Sequence, residues 1–245
     1  MTSGTALAAR HDAAGRHDDA INELARATQA GDIEAMTELG KRLVVGDRAP
    51  LLPRDGAGLL VDAMKAGSAE AAERLAAMAA LGAHREQSWA DALALLVRAA
   101  EQGSESARGQ LRVLARRSGS GAEPGEGWRG LAESVDLKAW LAPPPGVTLY
   151  ERPTVRRFEE FVPDEACDWL IDRARGRLKR ALIYDPACGG DVADQMRTNS
   201  ATGFDLTDVD LVQVAIQHRM AAAVGLPVRN MEGPTMLHYD VGEQI

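Results

Sequence analysis

The chain has 245 residues, with 28 Lys+Arg against 36 Asp+Glu for a net charge of −8, and its 45% hydrophobic content excludes wholesale disorder. The acidic balance excludes a general nucleic-acid binder, which needs a basic footprint. No apolar run approaches the roughly 18 residues that span a bilayer, residues 1–20 lack a signal-peptide core, and Cys167 and Cys188 make no disulfide framework, so a cytoplasmic protein is expected.

Residues 1–115 hold 29 of the 43 alanines and one of the ten aromatics, Trp89. That bias favours closely packed helices, because alanine has the highest helix propensity and lets backbones approach. The same stretch repeats itself every 36 residues. Gly31, Gly67 and Gly103 are each followed by a good N-cap: Asp32, Ser68 and Ser104. Ala35, Ala71 and Ala107 keep this register, as do Leu39, Leu75 and Leu111. So do Asp19, Asp55 and Asp91, and Leu24, Leu60 and Leu96. Each repeat therefore predicts two helices. One runs from the Asp or Ser cap toward Gly46 or Gly82. The next begins near Asp55 or Asp91 and closes at the repeat glycine in a left-handed position.

Ala35 to Gly40, then Gly46, Asp55 and Ala63 to Gly67, resemble the Sel-one-like repeats, a branch of the tetratricopeptide type. The resemblance covers residues 17–117. It implies an α-solenoid that contacts a protein or peptide partner.

Ser118 to Gly127 reads as a linker, and Pro143 to Gly146 cannot continue a helix. The expected organisation is repeats over 1–117, a linker over 118–147 and a second domain over 148–245. In that last part the pattern predicts a strand from Val155 to Phe161 and a helix capped by Asp164 that packs one face carrying Ala166, Cys167, Leu170, Ile171 and Ala174. A strand at Leu182 to Tyr184 and a helix from Leu211 to Ala222, stopped by Gly225, come next. The last predicted strand is Thr235 to Tyr239, ahead of a turn near Gly242.

The order of these residues resembles the prolyl 4-hydroxylase branch of the iron and 2-oxoglutarate dependent dioxygenases. The matching residues are Phe158 and Phe161 before Glu165, Cys167, Asp168 and Leu170; then Arg197 to Ser200; then Arg219-Met220; then Glu232, Tyr239 and Gly242 to Gln244. The resemblance implies the front part of a double-stranded β-helix (jelly roll) and dependence on Fe(II), 2-oxoglutarate and ascorbate. It also implies hydroxylation of a peptidyl substrate, typically at proline. The overall expectation is α + (α+β): an α-solenoid of helix pairs followed by the front of the oxygenase domain.

The family's metal motif is a His-x-Asp shortly after the Tyr-x-x-Gly element, with a second His far downstream. Here Ile245 follows three residues after Gly242, so the iron ligands are expected beyond the end of this chain. The 245 residues alone are then expected to be an inactive fragment. His238-Tyr239-Asp240 spells His-x-Asp, and on a strand its first and last residues share a side. The register nevertheless puts Tyr239 at the family's pocket tyrosine, whose phenol both donates and accepts. Tyr239 is therefore the one cofactor-binding residue assigned; no catalytic residue and no metal ligand is. The alternative function is a non-catalytic repeat adaptor that binds a protein partner.

Overall fold

The computed structural model describes residues 3–116, 127–194 and 197–244. Most of the Ser118–Gly127 linker lies outside the described residues. Seven helices open the chain: α1 (Gly4–Ala13), α2 (His17–Gln29), α3 (Ile33–Val45), α4 (Pro53–Lys65), α5 (Ala69–Leu81), α6 (Trp89–Glu101) and α7 (Glu105–Arg116). The repeat caps act as their residue types dictate. Asp32 Oδ1 accepts from the Ala35 amide at 3.0 Å, Ser68 Oγ from Ala71 at 3.1 Å and Ser104 Oγ from Ala107 at 3.0 Å. Gly31, Gly67 and Gly103 take φ of 86°, 108° and 97°, and Gly46 and Gly82 close α3 and α5 at 74° and 69°. Helix α1 precedes the first repeat and was not expected from the 36-residue register. Ser3 caps it through the Ala6 amide.

Paired helices approach at small residues. A Cβ on Gly40 would lie 3.0 Å from the Gly56 carbonyl oxygen, so α3 and α4 meet backbone to backbone. Every residue of α5 from Ala71 to Ala80 is buried. A polar rung joins successive repeats at one register position. Thr37 Oγ1 lies 2.9 Å from Ser68 Oγ, and Ser104 Oγ donates to the Glu73 carboxylate one repeat later.

At the same position of the third repeat, 36 residues after Glu73, stands Gly109, and what faces it comes from the second half. Helix α10 (Asp164–Ala174) lays Trp169 there, so close that a Cβ on Gly109 would sit 2.5 Å from Cζ3 of the indole. Helix α11 (Leu211–Val224) docks beside it. The Leu211 amide donates to Gln110 Oε1 at 3.0 Å, while Gln110 Nε2 donates to Glu73 at 3.1 Å. Arg74 Nη1 donates to the carbonyls of Thr207 and Val209 at 2.6 and 3.3 Å. Helices of the second half thus cover the face that a further repeat would have covered. One buried core runs from Val44 through Trp140 and Ala166 to Ile216, and a smaller one gathers Ala8, Leu24, Leu39 and Leu43 among α1, α2 and α3.

The stretch read as a 118–147 linker holds two helices in its described part, α8 (Gly127–Glu133) and α9 (Leu137–Leu141). Trp140 of α9 is buried and donates Nε1–H to the Leu114 carbonyl at 2.8 Å. Trp128 of α8 lies under the guanidinium groups of Arg108 and Arg112, 5.4 and 5.0 Å from the ring centre. A local glycine- and proline-rich composition hid these anchors, because both tryptophans find their partners on α7.

Around α10 and α11 the described strands form three small antiparallel sheets. β1 (Gly146–Glu151) pairs with β2 (Thr154–Phe158), and β4 (Ile183–Asp185) with β5 (Gly190–Val192). The third has the order β3 (Lys179–Arg180), β6 (Ser200–Gly203), β7 (Thr235–His238). The strand expected over Val155 to Phe161 ends at Phe158. Asp164 is not the cap of α10 but its first residue, after Pro163, where its charge meets the positive helix end. No helix among the described residues is long and apolar enough to cross a membrane.

Candidate functional site

The β6–β7 pair carries the residues singled out by sequence. Ser200 faces His238, Ala201 faces Leu237, Thr202 faces Met236 and Gly203 faces Thr235. Hydrogen bonding continues past both ends. The Phe204 amide donates to the Pro234 carbonyl at 3.0 Å, and the Thr198 amide to the Gln244 carbonyl at 2.9 Å. The Gln244 amide returns a bond to Thr198 Oγ1 at 2.8 Å. Between His238 and Gln244 the chain turns. The Glu243 amide donates to the Asp240 carbonyl at 2.9 Å, with Gly242 at φ 91°. Such a turn needs glycine at its third position.

Tyr239 leaves β7 at the start of this turn and is half-exposed, and its hydroxyl makes no hydrogen bond among the described residues. Arg197 is committed instead to partners within the protein. Its guanidinium donates to Asn199 Oδ1 at 3.4 Å and to the Leu182 carbonyl at 3.3 Å. Ser200 sits in the β6 ladder between Arg180 and His238.

The turn also brings together three side chains that can ligate a cation. One nitrogen of His238 and one carboxylate oxygen each from Asp240 and Glu243 lie within 4.8 Å of one another. The sequence reading weighed His238 and Asp240 and missed Glu243. The signal was present in the Asp-x-Gly-Glu order, which folds a glutamate back over the aspartate. Iron of the implied class takes two histidines and one carboxylate on one face. The other histidine of this half, His218, lies on α11 with its ring edge-on to Trp89, centroids 5.5 Å apart, and Nε2 3.1 Å from Gln87 Nε2. The two-histidine set is therefore not completed among the described residues.

His218 is a joint between the halves. Burial pushes its pKa below the ordinary histidine value, while a hydrogen bond to the Ala80 backbone pulls the other way. A base whose folded pKa is depressed stabilises the fold fully above its unfolded pKa. That contribution is lost as pH falls below the unfolded value toward the folded one. The urea midpoint should therefore drop between pH 7.5 and 5.5, and His218→Gln should flatten that drop. An unchanged slope in the variant would show that His218 does not couple to folding.

No family model matches the sequence. Among curated proteins, probable prolyl 4-hydroxylase 7 of Arabidopsis thaliana is 33% identical over 92 residues, covering 38% of this chain and 29% of that protein. Prolyl 4-hydroxylase 5 of the same plant is 29% identical over 136 residues, covering 55% of this chain and 41% of that one. The prolyl 4-hydroxylase subunit alpha-1 of Rattus norvegicus is 29% identical over 107 residues, 42% of this chain and 19% of the rat protein. The chain thus spans less than half the length of each of these relatives. Among solved structures, a Sel1 repeat protein from Oxalobacter formigenes aligns with a TM-score of 0.43 and 17% identity, covering 56% of this chain and 60% of that one. A protective antigen of uropathogenic Escherichia coli with an SLR fold aligns at 0.42 and 20% identity, covering 56% and 32%. The chain is therefore similar to prolyl 4-hydroxylases in sequence over the matched stretches.

Proposed function

We propose that the chain is the repeat region and front portion of an Fe(II)/2-oxoglutarate-dependent dioxygenase that hydroxylates a peptidyl substrate, proline in the family's usual case. The observation that carries this reading is the 33% identity to a prolyl 4-hydroxylase over 92 residues. The free Tyr239 hydroxyl beside β6 suits a hydrogen bond to the carboxylate of 2-oxoglutarate, with ascorbate as the family's usual reductant. The helical repeats would supply the surface that receives the protein or peptide partner. The three short sheets would be the opening strands of the jelly roll. Cys167 and Cys188 are free thiols, which suits a cytoplasmic location.

In this reading the iron ligands lie outside these 245 residues, because the one His–carboxylate cluster among the described residues holds a single histidine. Two measurements test it together. Anaerobic titration of the 245-residue chain with Fe(II) and 2-oxoglutarate should give no metal-to-ligand charge-transfer band and, after oxygen is admitted, no succinate. Sequencing the gene past the Ile245 codon should reveal a His-x-Asp soon after it and a further histidine downstream. A strong band from the 245-residue chain would overturn the ligand assignment. A stop codon directly after Ile245 would favour the alternative, a repeat adaptor without catalysis.

A further inference from the structure

We propose that His238, Asp240 and Glu243 form a binding site for a first-row divalent cation such as Zn2+, separate from the two-histidine iron set that the family resemblance implies. The site needs neither Tyr239 nor residues outside the chain, so it stands or falls independently of the dioxygenase reading.

Geometry comes first. The three donor atoms lie within 4.8 Å of one another. Zn2+ bonds nitrogen and oxygen ligands at about 2.0–2.2 Å, so donors sharing one ion are at most about 4.3 Å apart. The exposed side chains of His238 and Asp240 close that gap by small rotations. The backbone has already done the larger work. His238 ends β7, and two residues later Asp240 opens the turn. The turn through Gly242 then folds Glu243 over them.

Orientation is the second point. Glu243 Oε2 accepts the Asp240 amide at 2.8 Å. This bond holds the carboxylate in place and leaves its remaining lone pairs for an ion. Ligating carboxylates are commonly braced by a hydrogen bond of this kind. Charge is the third. Two carboxylates converge here, and among the described residues neither Asp240 nor Glu243 has a lysine or arginine ion-pair partner within 4.0 Å. A bound cation relieves that repulsion, and water at this open surface completes its coordination.

Donor chemistry selects the ion. An imidazole nitrogen with two carboxylate oxygens favours Zn2+, Co2+ or Mn2+ over Mg2+ and Ca2+, which prefer oxygen alone.

The test is isothermal titration of the 245-residue chain with zinc chloride, alongside His238→Ala, Glu243→Gln and, as a control distant in sequence, His84→Ala. The wild type and His84→Ala should each bind one more Zn2+ than His238→Ala, and Glu243→Gln should weaken that site at least about tenfold. Magnesium chloride at tenfold excess over zinc should not displace it. Circular dichroism confirms that each variant is folded. As a second readout, zinc should shift the His238 imidazole resonances in the wild type. Equal stoichiometry and affinity in His238→Ala, or unmoved His238 resonances while zinc binds, would overturn the proposal.

Discussion

Arg219→Ala should cost about 3–5 kcal/mol of stability and loosen α11 from α9 and from the segment entering α10. Arg219 lies on α11 with 3% of its surface exposed. Its Nε donates to the Ala142 carbonyl at 2.8 Å, Nη1 to Phe161 at 2.7 Å and Nη2 to Ala139 at 3.2 Å. The Phe161 ring packs under the guanidinium, 5.5 Å from its carbon to the ring centre. Two of these carbonyls belong to the end of α9, where a helix leaves its last acceptors without partners. The third belongs to the segment that enters α10. One planar group with five donors therefore ties three segments that no regular element joins. Each charge-assisted bond contributes about 1.5–3 kcal/mol, and removal also leaves buried acceptors and a cavity. The bonds share one side chain, so their contributions do not add in full. Urea unfolding followed by tryptophan fluorescence reads the loss, since Trp140 lies on α9. Arg219→Lys should recover only part of it, because a point-like ammonium cannot reach three divergent carbonyls. A midpoint for Arg219→Ala equal to that of the wild type would refute the staple.

Two alanine substitutions two residues apart on α4 should change stability in opposite directions. Gly56→Ala places a Cβ 2.6 Å from the Gly40 carbonyl oxygen and 2.7 Å from the Val44 amide nitrogen, both backbone atoms of α3. Backbone cannot rotate away as a side chain can, so the helices must separate, at a cost of about 3 kcal/mol. Gly58→Ala meets nothing within 4 Å and lies on the exposed face. Alanine there should stabilise by about 0.5–1 kcal/mol, through helix propensity and a less flexible unfolded chain. Thermal unfolding of both variants checks the signs. Two shifts in the same direction would show that the close approach of α3 and α4 is not what Gly56 serves.

The site was partly readable before any fold was known. His238, Tyr239 and Asp240 stand out because a strand pattern leads into a glycine turn. Glu243 did not, because its part depends on how that turn folds a carboxylate back onto the Asp240 amide. The position of His218 was equally hidden. Its helix was predicted, but its neighbours Gln87 and Trp89 lie about 130 positions earlier in the chain.

By itself, the sequence determined the elements whose causes are local. The 36-residue register, the Asp32, Ser68 and Ser104 caps and the left-handed glycines follow from hydrogen bonds and backbone freedom within a few residues. Helix α11 and strand β7 were legible for the same reason. Only the tertiary structure decided where the repeats stop and what covers their open end. That depends on Gly109 making room for Trp169, and on Gln110 taking the first amide of α11 across 101 positions of sequence. Periodicity reports which face of a helix is apolar and is silent on which distant surface will bury it.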